Sequence, residues 1–240
     1  MLDQYSDKPE YNYILTNHLF KIAEYDLMPI EMIETLKIIN NNKDIEIKTI
    51  YDIGASVLHF AKEARKIFKD TEIIVFDAFK EAEILYKKYG YKYSICLLSD
   101  KSNKEVEFYK NPFFPGGNSY YKEIHHDKSI VPFFDDSNRH TEQTKTLNEI
   151  VQLNNYPLPD LIKIDVQGCE LDILKGANKV LEHNKYLIIE IQHKQYNEGA
   201  PLFEETNKYI LSIGYVLIKK ICSSEFDADY LYMNSKYIIS

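Results

Sequence analysis

Carboxylates close the apolar runs of this chain. Asp52 lies in Ile50–Ala55 (IYDIGA), Asp77 follows Glu72–Phe76 (EIIVF), Ser99-Asp100 follows Tyr93–Leu98, and Asp165 follows Leu161–Ile164 (LIKI). Glu190 sits near the end of Tyr186–Ile191 (YLIIEI), with His193 just beyond it. If these runs are parallel strands, their ends share one sheet edge, where open α/β sheets bind ligands. There a carboxylate can accept the hydroxyls of a ribose, or take a proton from an attacking group. Asp77 closes the strand after the Gly54 loop, the position from which an acid holds both ribose hydroxyls and disfavours a 2′-phosphate. Asp165, Glu190 and His193 are the candidate bases; histidine titrates near neutrality, at about 6.5 when unperturbed. The plainer alternative for each Asp is a helix cap or turn former. Four of them in sheet order favour a ligand.

What is missing narrows that ligand. After Gly54 the next glycine is Gly90, so no GxGxxG fingerprint follows the first strand, and no GxxxxGK[ST] loop occurs. A pyrophosphate has no evident cradle. A nucleoside without phosphates fits better, and S-adenosylmethionine is the common one.

These residues need a scaffold, and the periodicity supplies one. Glu10 to Asp26 and Ile30 to about Ile39 carry apolar residues at helical spacing and form an N-terminal helical extension, residues 1–48. It can cap the site or mediate self-association. From Thr49 the order is strand (Thr49–Ile53), helix (Leu58–Phe68), strand (Glu72–Phe76), helix (Glu81–Tyr89) and strand (Tyr93–Leu98). That alternation predicts a mostly parallel sheet with helices on both faces. The segment 111–140 has no period and is rich in aromatics, His, Asp and Pro, as expected of a substrate-facing loop. Its Phe113–Tyr121 stretch offers rings to stack on a sugar and Asn and Ser for its hydroxyls; packing of those rings on the core is the alternative. His125-His126 is a further pair of candidate bases. Gln143–Thr146 reads as a short strand, Leu147–Leu153 as a helix, and Gly168–Leu181 and Pro201–Ile213 as helices. Tyr215–Lys219 and Asp229–Met233 read as an antiparallel pair at the sheet edge. The catalytic domain is therefore residues 49–240.

The 240 residues are 45% hydrophobic with a formal net charge of −8, enough for a full core and without a basic face for nucleic acid. The three cysteines, Cys96, Cys169 and Cys222, are scattered and form no CxxC, which argues for a reducing compartment and against a zinc site. No signal peptide or membrane span is evident, so a cytoplasmic protein with a small-molecule or glycan acceptor is expected.

The segment DLIKIDVQGCELDILKGANKVL, Asp160 to Leu181, followed by LIIEIQH, Leu187 to His193, resembles the signature of the FkbM-type methyltransferases. IYDIGA resembles the first motif of that family, and TLNEIV, Thr146 to Val151, its TLD element. The resemblance covers roughly residues 49 to 220. It implies a class I methyltransferase fold, Rossmann-like, with an antiparallel strand at the sheet edge, S-adenosylmethionine as donor, and methylation of a hydroxyl, often on a sugar. It implies that Asp52, Gly54 and Ala55 flank the methionine part, Asp77 holds the ribose, Ser99 and Asp100 lie near the adenine, and Asp165 sits on the crevice floor. Asp165 and Glu190 can also bind a divalent cation, and no dedicated metal site is expected. The chain departs from the family's DxGANxG: Ser56 replaces Asn and Leu58 replaces the second glycine, where it is expected to narrow the cofactor's approach. Asp77 replaces the usual Glu, and Asn148 the Asp of TLD. Two alternatives remain open: a degenerate fold that binds without catalysing, and an oxidoreductase using NAD.

Overall fold

A computed structural model describes residues 8–25, 27–124, 136 and 139–238. His125-His126 and most of the second half of the irregular segment lie outside the described residues. In chain order the elements are α1 (Pro9–Ala23), α2 (Ile30–Asn41), β1 (Thr49–Ile53), α3 (His59–Ile67), β2 (Glu72–Asp77), α4 (Glu83–Lys88), β3 (Lys92–Ile95), β4 (Leu97–Leu98) and β5 (Glu105–Tyr109). They continue with β6 (Arg139–Lys145), α5 (Leu147–Asn154), β7 (Leu161–Ile164), α6 (Glu170–Lys175), α7 (Asn178–His183), β8 (Tyr186–Gln192), α8 (Phe203–Ser212), β9 (Tyr215–Ser223) and β10 (Asp227–Asn234).

Seven strands form the main sheet in the order β3-β2-β1-β7-β8-β10-β9. β1, β2, β3, β7 and β8 pair in parallel, and β10 runs antiparallel to both β8 and β9. The reversed strand therefore lies one place in from the edge, not at it. β9 is outermost and parallel to the rest, because the β9–β10 hairpin folds back into the gap beside β8.

Strand alternation divides the core into two apolar layers. Ile50, Ile73, Val75, Leu161 and Ile188 face α1–α4; Tyr51, Phe76, Ile162, Ile164 and Ile189 face α5–α8. Leu15, Leu19, Met32, Leu36 and Ile39 belong to the first layer, so α1 and α2 share the core of the sheet.

Two elements differ from the reading of the sequence. Tyr93–Leu98 is not one strand: β3 ends at Ile95, and Leu97–Leu98 leave to pair with β6 in a separate three-stranded sheet, β4-β6-β5. The helix expected over Gly168–Leu181 is split into α6 and α7 at Gly176-Ala177. Gly176 packs so closely on Ser99 that an added Cβ would lie 2.2 Å from its carbonyl oxygen.

Candidate functional site

The C-terminal edge of the parallel strands opens into a cavity of about 750 Å³, within the usual range for small-molecule sites. Its floor carries Asp52 and Gly54 from β1 and its loop, Asp77 from β2, Lys163 from β7 and Asp165 just after it, Glu190 from β8 and Asp229 from β10. His18, Ile22, Met28 and Met32 of the N-terminal helices and their turn form one wall; Phe113–Ser119 forms another. The two walls are fastened together. His18 Nε2 lies 2.9 Å from the Phe113 carbonyl oxygen, and its ring is 5.4 Å from that of Phe113. The extension thus forms one side of the cavity.

The turn after β1 is shaped by close backbone approach. Gly54 has φ +81°, and an added Cβ would stand 1.8 Å from the Asp165 carbonyl oxygen. The N–H groups of Gly54 and Ala55 both donate to the Phe76 carbonyl, at 2.9 and 3.2 Å. Ser56 and Leu58 follow with φ +44° and +73°, a left-handed region that favours glycine and asparagine. The family's Asn and Gly at these positions suit that conformation, and this chain keeps it with less permissive residues. Leu58 does not narrow the cavity. Its side chain is fully buried in the first core layer and is not part of the lining.

Asp52 is 1% exposed, and neither carboxylate oxygen has a hydrogen-bond partner among the described residues. Burial raises its pKa to about 7, with Lys163, its neighbour in β1–β7 register, opposing that rise. A buried acceptor without a partner is costly, and here it faces a cavity. Asp77 accepts from Ser56 N–H at 2.6 Å and Phe79 N–H at 2.7 Å. Burial pushes its pKa up against those donors.

Lys163 is the cation of the floor. Burial alone would lower its pKa, but Asp165, Asp52 and Asp229 around it raise it, so it stays charged. Its ammonium lies 2.5 Å from Asp165 Oδ2. Asp165 and Glu190 form a coupled pair with unequal fates. Burial opposes the charge of both; Lys163 nevertheless holds Asp165 low, while Glu190, beside the Asp165 carboxylate, is driven well above its usual range. Asp165 is therefore the more acidic member of the pair and Glu190 the one that holds its proton more tightly. Gln167 joins them: its Nε2 donates to Asp165 Oδ1 at 3.1 Å and Glu190 Oε2 at 2.9 Å.

The other expected site residues are placed elsewhere. Ser99 is buried, with its hydroxyl 3.2 Å from both Asp100 Oδ1 and the Tyr120 hydroxyl. Ser99 and Asp100 do not line the cavity; Cys96, Leu97 and Leu98 do. The departure of β4 into the small sheet turns Ser99 away. His193 is exposed, sits against Phe203 and Tyr230, and is also absent from the lining. It follows the last pairing residue of β8, so nothing directs its ring back over the sheet edge. Asn148 bonds Asn178 and Val180 N–H, tying α5 to α7. Phe113–Tyr121 divides between both readings: residues 113–119 line the cavity, whereas the Tyr120 and Tyr121 hydroxyls donate to Asp172 Oδ2 at 2.8 and 2.9 Å.

Lys163, Gln167 and Asp229 are site residues that strand-end reasoning passed over. The signal for Lys163 was a charge inside an otherwise apolar strand. Among the described residues no group of three or more His, Cys, Asp or Glu side chains is arranged to hold a metal ion. No helix of the described residues is long and apolar enough to cross a membrane.

The strand order, with one reversed strand inserted next to the edge and a cavity at the carboxyl ends of β1, β2 and β7, defines a class I methyltransferase fold. The family model for the methyltransferase FkbM domain matches residues 51–217. The chain belongs to that family. A 51-residue segment is 37% identical to the hexuronic acid methyltransferase AglP of Haloferax volcanii, spanning 21% of this chain and 21% of that one. Among solved structures, a SAM-dependent methyltransferase from Aquifex aeolicus overlays with TM-score 0.45 at 13% identity, covering 91% of this chain and 98% of that one. The N-methyltransferase NodS from Bradyrhizobium japonicum, in complex with S-adenosyl-L-homocysteine, overlays with TM-score 0.46 at 11% identity, covering 96% and 90%. The strand order carries the fold assignment, not these overlaps.

The residues present fit the donor. The buried Asp52 carboxylate on the cavity lining suits the positive charge that S-adenosylmethionine brings, the Gly54 turn lets the loop after β1 lie close against the Asp165 backbone, and Asp77 stands at the cavity end of β2.

Proposed function

We propose that the protein methylates a hydroxyl of a sugar, glycan or nucleotide sugar. The observation that carries this reading is the Asp165–Glu190 pair on the cavity floor, bridged by Gln167 and set beside the Lys163 ammonium. S-adenosylmethionine supplies an electrophilic methyl group on its sulfonium. The chain's task is to bring an oxygen in line with that methyl, exclude water and accept the hydroxyl proton. Asp165 keeps its charge at neutral pH and takes the proton. Glu190, whose charge is opposed by burial and by the Asp165 carboxylate, hydrogen-bonds to Asp165. Asp52, Gly54 and Ala55 flank the methionine part and Asp77 holds the ribose. Cys96–Leu98, in place of Ser99 and Asp100, line the adenine side. Residues 1–48 serve as the cap of a catalytic unit formed by residues 49–240.

The hydroxyl acceptor draws support from the 113–119 wall, where Asn118 presents a buried amide nitrogen without a hydrogen-bond partner among the described residues. The named activity of the partial relative, methylation of a hexuronic acid, is consistent with a sugar. The test is methyl transfer from isotopically labelled S-adenosylmethionine to a panel of neutral sugars, sugar acids and nucleotide sugars, with the product site mapped by mass spectrometry. Label on a sugar oxygen, lost in Asp165→Asn, supports the proposal. Label on nitrogen or carbon, or an undiminished rate in Asp165→Asn, contradicts it.

A further inference from the structure

Gln167 stands in a conformation that its residue type does not favour. Its φ is +59°, a left-handed value that is strained for a non-glycine residue. The surroundings hold it there. Glu170 Oε1 accepts from Val166 N–H at 3.0 Å and Gly168 N–H at 3.1 Å, and the Ser119 hydroxyl donates to the Gln167 carbonyl at 2.8 Å. The result is an amide aimed at two carboxyls.

An amide can present its oxygen or its nitrogen to those carboxyls, and only the nitrogen can donate. Tyr196 decides between them. Its hydroxyl donates to Gln167 Oε1. Burial, together with Glu190, Asp227, Asp165 and Glu170 nearby, keeps the phenol protonated and hence a donor. The backbone around Tyr196 is also engaged on the acceptor side. Its carbonyl accepts from Ile124 N–H at 2.5 Å, Glu198 N–H donates to the Lys122 carbonyl at 2.7 Å, and Asn197 Nδ2 donates to the Tyr121 carbonyl at 2.8 Å. Tyr196 thus touches the carboxyl network with its side chain and the 121–124 segment with its backbone. Glu123 of that segment lines the cavity.

We propose that Tyr196 is a positioning residue: its hydroxyl locks the Gln167 amide with the nitrogen toward Asp165 and Glu190, and ties that arrangement to the acceptor-side segment 121–124. The role rests on the methyl-transfer reading for its purpose, but the lock itself exists without any ligand. Without the Tyr196 hydroxyl the amide is able to turn, its oxygen can accept the Glu190 proton, and Asp165 loses a donor. The groups facing this pair are Lys163 from β7 and Asp227 from β10, with Asp229 and Asp52 around Lys163.

The test is nuclear magnetic resonance of the full-length protein labelled with ¹⁵N, reading the Gln167 side-chain amide, assigned by its loss in Gln167→Leu. In the wild type those protons exchange far more slowly than those of exposed Gln152. In Tyr196→Phe the exchange accelerates by about tenfold or more, the scale of one hydrogen bond in a charged network. The pH midpoint that the amide shift reports for the carboxyl pair moves upward, because a donor to the ionised form is lost. A merely structural tyrosine would leave that midpoint in place. Unchanged exchange and midpoint in a Tyr196→Phe variant with native backbone resonances would overturn the proposal. So would a wild-type Gln167 amide that exchanges as fast as Gln152, which needs no variant to fold. Calorimetry with S-adenosyl-L-homocysteine on the same samples tests the methyltransfer reading separately.

Discussion

Replacing Gly54 with alanine tests the link between backbone geometry and donor binding. The new Cβ would lie 1.8 Å from the Asp165 carbonyl oxygen, 2.7 Å from its carbonyl carbon and 3.0 Å from Val166 Cγ1. Carbon contacts normally sit about 3.5–4.0 Å apart, so β1 and the end of β7 must separate by more than 1 Å, on the order of the shortfall. The Asp165 N–H to Ile53 carbonyl bond, 3.0 Å long, lies across that junction. Three costs combine: the left-handed φ, roughly 1–2 kcal/mol; overpacking, roughly 1–3 kcal/mol; and a strained hydrogen bond, about 1 kcal/mol. Thermal unfolding followed by circular dichroism should fall by roughly 10 °C, at about 2–4 °C per kcal/mol for a chain of this size. Because the clash moves Asp165 and the donor loop together, calorimetry should show affinity for S-adenosyl-L-homocysteine weakened by more than about tenfold, more than 1.4 kcal/mol. A Gly54→Ala protein that melts within about 2 °C of wild type and binds the ligand unchanged would refute the close-approach argument.

Three further outcomes follow from the site. Asp52 and Glu170 have folded pKa values raised to about 7 by burial, from ordinary values of 3.8 and 4.5. The folded state therefore holds more protons than the unfolded state between those values, and stability falls as pH rises through that window. Urea midpoints measured across it should decline, and Asp52→Asn should flatten the decline while weakening S-adenosyl-L-homocysteine binding; a slope unchanged by the substitution would count against the raised pKa of Asp52. Leu58→Gly relieves strain of roughly 1–2 kcal/mol but empties a fully buried site at a cost of roughly 3–5 kcal/mol, so urea unfolding should show net destabilisation. Its ligand affinity should stay at the wild-type value, since Leu58 does not line the cavity. Asp77→Ala should weaken the same ligand by well over about tenfold, as expected for loss of hydrogen bonds to a charged acceptor; an unchanged dissociation constant in a folded variant would remove Asp77 from the ribose role.

Much of the scaffold was legible because its signals are local. IYDIGA, EIIVF, LIKI and YLIIEI are apolar runs of strand length, and all four became strands of the main sheet. The acids at their ends came together because parallel pairing places strand ends on one edge, and the Asp160–His193 signature fixed the family. Non-local geometry was not legible. Leu97-Leu98 read as a continuation of Tyr93–Ile95, yet pairs with β6, some 45 residues on. That transfer is what turns Ser99 away from the cavity. The partnership of Asp52 with Lys163 depends on parallel register, which no spacing within either strand reveals. Ser56 and Leu58 looked like defects in the donor loop because residue type alone does not display φ. Both hold the turn that the family's Asn and Gly would adopt more easily, and Leu58 points into the core.

The site requires that S-adenosylmethionine bind in the cavity between Asp52, Gly54, Asp77 and Asp165. Titration calorimetry of the wild-type protein with S-adenosyl-L-homocysteine, and separately with NAD, is the test. Saturable micromolar binding of the homocysteine ligand, absent with NAD and lost in Asp77→Ala, is the predicted result. Binding of NAD instead, or of neither ligand, would rule out a donor site in this cavity.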